Sequence, residues 1–347
     1  MKGLKRLFIF IALFSFIANS SAQIGGTGSY KFLDLPPSAR VAALGGHFIT
    51  IKDDDLGMAY QNPALLNKRM ENAVTVNAVT LPAGIKYGYF SHARNINKIG
   101  LLNFGLQYVN YGSFEETTET GQLTGETFNA SDLALTIGYS KKYLKKFSYG
   151  GNVKVLNSSY EQYNSWVLVA DIGGSYSDSA SGFSAASVIK NVGFPLNTFR
   201  GGSVEFPIAD FQASVSQKLK YAPFRFSLTY RHIEQFDIIF IDPNERAEID
   251  FATGEEIDNS PSLTDKIGQH LVLGSEILFS ENFHIRVGYN HQRRTELQVS
   301  EKAGATGFSF GFGMKVKRFN INYANARYHL AGASNHFSIA FNLKDFS

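Results

Sequence analysis

Three patterns in the sequence carry residue types able to do chemistry. Gly307-Phe308-Ser309-Phe310-Gly311 spells the Gly-x-Ser-x-Gly arrangement in which serine hydrolases present a nucleophile. Histidines stand at 47, 92, 232, 270, 284, 291, 329 and 336, each able in principle to bind a metal or move a proton. Between Gln235 and Gln269 runs an acid-rich stretch holding Asp237, Asp242, Glu245, Glu248, Asp250, Glu255, Glu256, Asp258 and Asp265, and clustered carboxylates suit calcium. Each pattern lacks its companion. The hydrolase motif needs a strand-to-helix elbow, and here it sits inside unbroken alternation. The histidines are scattered, with no His-x-x-x-His pair. The acidic spacing does not match an EF-hand loop. The sequence therefore assigns no catalytic residue, no metal site and no cofactor, and it does not read as an enzyme. The acidic stretch reads as a solvated loop or a docking surface for a basic partner. The neighbouring apolar run Phe236, Ile238, Ile239, Phe240 and Ile241 reads as an extension of a strand or a protein contact.

The alternation around Ser309 recurs along most of the chain. Phe224, Phe226, Leu228 and Tyr230 alternate with Arg225, Ser227, Thr229 and Arg231, and Phe283, Ile285, Val287 and Tyr289 with His284, Arg286, Gly288 and Asn290. Phe308 to Val316 and Phe337 to Lys344 repeat the pattern. A period of two means strands with one apolar and one polar face. Such strands also suit a soluble sandwich. Two features favour a membrane barrel: an apolar face rich in Phe and Tyr, and an opposite face carrying Arg, His and Lys beside Gly and Ser. The composition agrees, with 30 Phe, 17 Tyr and 32 Gly at a mean hydropathy of only −0.12.

Fourteen strands are expected, starting near Ala73, Gly84, Ile99, Ser131, Phe147, Ser165, Gly182, Ala209, Phe224, His270, Phe283, Thr306, Phe319 and Phe337. The eighth has the weakest alternation, so twelve or sixteen strands also fit. Connections sort by parity. Those at 94–98, 141–146, 178–181, 220–223, 280–282 and 317–318 are short. Those at 113–130, 191–208, 235–269 and 292–305 are long, and on that side only the connections after the first and thirteenth strands are expected to be short. Outer-membrane barrels show this asymmetry, with short periplasmic turns and long extracellular loops. The fold class expected is all-β, a transmembrane antiparallel β-barrel of residues 73–347 in the outer membrane, with lipid as one partner. His284 and Arg286 then face the lumen and are expected to hydrogen-bond a plug.

At the start, Lys2, Lys5 and Arg6 precede an apolar run from Leu7 to Ile17 and the small residues Ser20-Ser21-Ala22. These are the parts of a cleavable signal peptide, expected to span residues 1–22. The chain has no cysteine, which excludes disulfides and a lipoprotein anchor. Its formal net charge of +3 gives no footprint for nucleic acid.

Residues 23–72 break the strand pattern with Gly25-Gly26, Pro36-Pro37, Gly45-Gly46, Asp53-Asp54-Asp55 and Pro63. Short helices are expected over Ser38–Leu44 and Ala64–Lys68, with Gly45 ending the first. A compact segment of this kind reads as a periplasmic extension or as a plug, or hatch, inside the lumen, which in a fourteen-strand barrel is wide enough to hold it. Arg40 within it is expected to pair with a lumen carboxylate or to sit in water, since an unpaired buried charge is costly, and Asp53, Asp54 or Asp55 are candidate partners.

The block from Tyr30 to Gly46, with Leu35-Pro36-Pro37-Ser38-Ala39-Arg40 and Leu44-Gly45-Gly46, followed by Asp53-Asp54-Asp55 and Gln61-Asn62-Pro63-Ala64, resembles the N-terminal signature of the PorV and PorQ outer-membrane proteins of the type IX secretion system. Size and opening are closest to PorQ. Asn62-Pro63-Ala64 also resembles the hatch of FadL-type long-chain fatty-acid transporters. The first resemblance implies a barrel that assists export or surface handling of proteins with C-terminal sorting domains, with other type IX components and such domains as partners. The second implies a transporter of hydrophobic small molecules. Both make Ser38, Ala39, Arg40, Gly45, Gly46, Asn62, Pro63 and Ala64 the candidate motif, structural or binding.

Overall fold

The computed structural model describes residues 30–118, 120–199, 205–239, 261–297, 304–329 and 332–346. The expected signal peptide and most of the acidic stretch, from Asp242 to Asp258, lie outside them. Among the described residues no helix is long and apolar enough to cross a membrane.

Fourteen antiparallel strands run in order around the molecule: β1 (Ala73–Thr80), β2 (Lys86–Ile96), β3 (Gly100–Thr117), β4 (Leu123–Lys142), β5 (Phe147–Tyr160), β6 (Tyr163–Asp178), β7 (Phe183–Pro195), β8 (Asp210–Lys218), β9 (Phe224–Tyr230), β10 (Leu271–Leu278), β11 (Phe283–Asn290), β12 (Phe308–Val316), β13 (Phe319–His329) and β14 (Gly332–Asn342). β1 pairs with β14 from Ala73↔Asn342 to Thr80↔Asn335, which closes the sheet into a barrel with no free edge.

The faces are reversed relative to a water-soluble protein. On β12, Phe308, Phe310 and Phe312 are outward and exposed, whereas Ser309 between them is buried. On β9, Phe226 and Leu228 face out, while Ser227 and Thr229 are buried. The alternation thus turns apolar side chains toward hydrocarbon and polar ones toward the lumen.

Several connections differ from the sequence expectation. The stretch 113–130 is mostly strand, because β3 and β4 continue as a ribbon that turns at 118–122. Its polar residues alternate with Phe114 and Phe128, whose stacked rings pair across the ribbon, so polarity there marks a water-exposed hairpin. The connection after β5 is also short, at 161–162. β14 starts at Gly332, earlier than Phe337, because the small residues Gly332, Ala333 and Ser334 carry no alternation signal. The remaining long connections, 196–209, 231–270 and 291–307, still leave from one end. The opposite end carries the short turns.

Residues 30–72 pack against β11–β14 on one side and β4–β6 on the other. They form short pieces: a 3-10 turn at Lys31–Asp34, helix α1 (Ala39–Ala43), helix α2 (Gly57–Gln61) and 3-10 turns at Pro63–Leu65 and Lys68–Met70. The helix expected over Ala64–Lys68 is therefore two turns, split where the Asn67 side chain accepts from Arg69 N and caps the second.

An outward charge in mid-wall tests the orientation. Val153 on β5 faces out beside Ile137 and is 53% exposed. Val153→Arg is expected to cost about 2–4 kcal/mol. The unboiled, compact band on a denaturing gel should then disappear at lower temperature than in the unsubstituted protein, with no such shift for Val153→Leu.

Candidate functional site

The candidate motif residues fall into two contacts on opposite walls. At the first, Ser38 caps α1, its Oγ accepting from Val41 N, and Ala39 N donates to Ser338 Oγ on β14 at 2.7 Å. Ala39, Ala42 and Ala43 are fully buried with Ala324 of β13, small enough for the helix to lie against the wall. Gly45 and Gly46 then turn the chain at φ +89° and +91°, a region that favours glycine. A Cβ on Gly45 would stand 2.5 Å from Val272 Cγ1, so this turn also needs the closeness that only glycine permits. Ser309 explains itself here. Its Oγ donates to Ala43 O at 3.0 Å and accepts from Gly45 N at 3.1 Å, so the hydrolase-like serine is a wall contact for the helix end.

Arg40 leaves α1 toward the short-turn end and meets three carboxylates: Glu276 of β10 at 3.0 Å, Asp53 at 2.7 Å and Asp55 at 3.4 Å. Glu276 is buried and also receives Arg225 at 2.7 Å and Arg286 at 2.9 Å. Three guanidinium groups and three carboxylates thus form one balanced network joining the inner segment to β9, β10 and β11. It lines a cavity of about 490 Å³. Arg286 bonds Glu276 and Asn322 Oδ1, and reaches the inner segment only through Glu276, contrary to the direct bond expected from the sequence. Glu276 itself sits in a strand of otherwise ordinary alternation, and nothing in the sequence marks it as the centre of the network.

The second contact is on β5 and β6. Asn62 Oδ1 accepts from Ala64 N at 3.0 Å and so starts the 3-10 turn at Pro63, while Asn62 Nδ2 donates to Ile49 O and Gly174 O. Ala64 O accepts from Ser148 Oγ at 2.8 Å. Pro63 fits over Gly150, where a Cβ would lie 2.7 Å from Pro63 O. Next to it, Gln61 accepts from the buried Lys190 at 3.2 Å. Tyr60 covers Lys154, which is paired with Asp171 at 2.8 Å.

Toward the long-connection end the segment has an apolar side and a polar side. Tyr30, Phe32 and Leu33 pack with the inward residues Tyr87, Tyr89, Val109, Val167 and Val169 of β2, β3 and β6. Opposite them, Asp34 and His47 face Asp210, Arg231 and His232 around a cavity of about 270 Å³. Sequence reasoning did not find this group, because its members come from positions far apart in the chain.

No protein family matches the sequence, and no curated protein matches it. Solved structures do. The toluene transporter TbuX of Ralstonia pickettii aligns over 88% of this chain and 97% of its own, with 9% identity and a TM-score of 0.50. The monoaromatic hydrocarbon channel TodX, as its deltaS2 mutant, gives 14% identity over 88% and 97%, at a TM-score of 0.49. A Pseudomonas aeruginosa FadL homologue gives 12% identity over 91% and 98%, at a TM-score of 0.42. At such identities the likeness is one of fold. The chain is a closed antiparallel β-barrel similar in fold to TbuX.

Because Arg40 bonds both wall and segment, exchanging its charge with a single aspartate leaves Glu276 facing a carboxylate. Glu276 is the better test. Glu276→Gln leaves the buried Arg40 and Arg286 and the half-buried Arg225 without their shared carboxylate and is expected to cost about 3–5 kcal/mol. Heat-modifiability on gels should show the compact band lost at lower temperature, while Glu281→Gln at the same cavity mouth leaves it unchanged.

Proposed function

We propose that this chain is an outer-membrane barrel, plugged by its own N-terminal segment, that serves the type IX secretion system as a binding and assembly component. Its long connections face the cell exterior, and its partners are other components of that system and cargo bearing C-terminal sorting domains. What supports this reading is the use made of the PorV- and PorQ-like signature. Ser38 to Gly46 holds the segment to one wall and Asn62 to Ala64 holds it to the other, with the Arg40–Glu276 network between segment and barrel. Buried ion pairs of this kind are expensive to break. They suit a closed body that works through its rims and loops, where a partner can dock without the lumen opening.

A second reading, passage of a hydrophobic small molecule, is the one the comparisons favour, since TbuX is named for toluene and TodX for monoaromatic hydrocarbons. It also has an observation of its own. The inward patch of Tyr87, Tyr89, Val109, Val167 and Val169 is apolar in a lumen that is otherwise polar, and Tyr30, Phe32 and Leu33 rest on it as a hydrophobic ligand would. The fold alone does not choose between the two.

A strain lacking this gene separates them. The secretion reading expects proteins with C-terminal sorting domains to vanish from the surface and medium and to accumulate in the periplasm, with uptake of a monoaromatic hydrocarbon unchanged. An unchanged secretome with slowed hydrocarbon uptake would replace that reading with the transport one.

A further inference from the structure

The polar cavity at the long-connection end is built from both the inner segment and the wall. Asp34 and His47 belong to the segment. Asp210 opens β8, and His232 and Glu234 follow β9. Asp34, His47 and Asp210 each offer one ligand atom, and these atoms lie within 4.8 Å of one another. Asp210, His232 and Glu234 form a second such group that shares Asp210.

His47 is the independent sign that something belongs here. It lines the cavity, is 1% exposed, and neither ring nitrogen has a hydrogen-bond partner. A buried imidazole with two unmatched nitrogens forfeits hydrogen bonds it would make in water, and such groups in folded proteins call for a partner. Burial foremost, then the charges of Arg231 and Arg293, hold its pKa well below the usual histidine range.

Arg231 bears on the site in two ways. Its Nη2 sits 2.5 Å from Asp210 Oδ2 and 3.2 Å from Asp34 Oδ2, so it fixes the two carboxylates beside each other, while Asp210 Oδ1 accepts from His232 N at 3.2 Å. Its charge and those of Arg293 and Lys190 oppose a cation, while those of Asp34, Asp210 and Glu234 favour one. The donor set is one imidazole nitrogen and two carboxylate oxygens. That set suits a borderline transition metal with water completing the shell. It is poor for calcium, which takes six to eight oxygens.

We propose that Asp34, His47 and Asp210 form a binding site for a divalent transition-metal ion of the zinc class, which ties the start of the inner segment to the wall at β8. The site is independent of whether the barrel serves secretion or transport.

The test is calorimetric titration of zinc chloride into the full chain in detergent, stripped beforehand with a chelator. One equivalent is expected to bind. Affinity should fall by about tenfold or more in both His47→Ala and Asp34→Asn, since losing even an outer partner of a metal ligand costs that much. His92→Ala, at the opposite end, should bind as the unsubstituted protein does. The unboiled gel band reports whether each variant is folded. Asp34, whose side chain is 44% exposed, gives a variant that leaves no core void if His47→Ala does not fold. The proposal is overturned if zinc gives no saturable heat, if calcium binds as well as zinc, or if folded Asp34→Asn binds as tightly as the unsubstituted chain. Loss of binding in His232→Ala alone would overturn it too, by moving the ion to the other carboxylate group.

Discussion

Hydrocarbon offers no hydrogen-bond partner to a backbone N–H or C=O, and the rest of this structure depends on meeting that constraint. The β1–β14 pairing meets it by leaving no strand edge unpaired. Once the sheet is closed, each strand has one face toward lipid and one toward the lumen. Phenylalanines and branched residues take the first, and Ser, Asn, Lys, Arg and Glu take the second. The inner face is then a polar surface in a confined space. Its charges need partners, and the chain supplies them from neighbouring strands and from residues 30–72.

The inner segment is held by apolar packing, with Tyr30, Phe32, Leu33 and Tyr60 against the wall, and by a few polar groups. Arg40 and Glu276 carry one side, and Asn62 with Ser148 and Gly174 carry the other. Glycine and alanine in both partners bring the backbones close enough for these bonds to form. This is why the same residues look like a motif in the sequence: each position is constrained by a wall a few ångströms away. Ser309 illustrates the point. Its neighbours match a hydrolase pattern because glycines let β12 approach the helix end, where the hydroxyl bridges Ala43 and Gly45.

Polarity inside a barrel also separates structural charge from charge that is left for a ligand. Glu276 has three arginines, and Lys154 has Asp171, so these groups are spent on one another. His47 is different. It is as buried as they are, yet both its nitrogens face a cavity without a protein partner.

The sequence by itself determined the strands and their sidedness, because a period of two is a local property that every residue in a strand repeats, but it left twelve, fourteen or sixteen strands open. It also marked residues 23–72 as something other than strand, through Pro36-Pro37, Gly45-Gly46 and Pro63, and it marked Arg40 as a charge needing a carboxylate or water. It did not show that 113–130 is a ribbon, since polar residues in a hairpin above the membrane look the same as a loop. Only the tertiary structure decided which carboxylate Arg40 meets, and that Asp34, His47 and Asp210 share a cavity. Those pairings join positions 40 with 276 and 47 with 210 across the lumen. Their proximity follows from how the closed sheet places its walls around the inner segment, a property of the whole ring that no short stretch of sequence encodes.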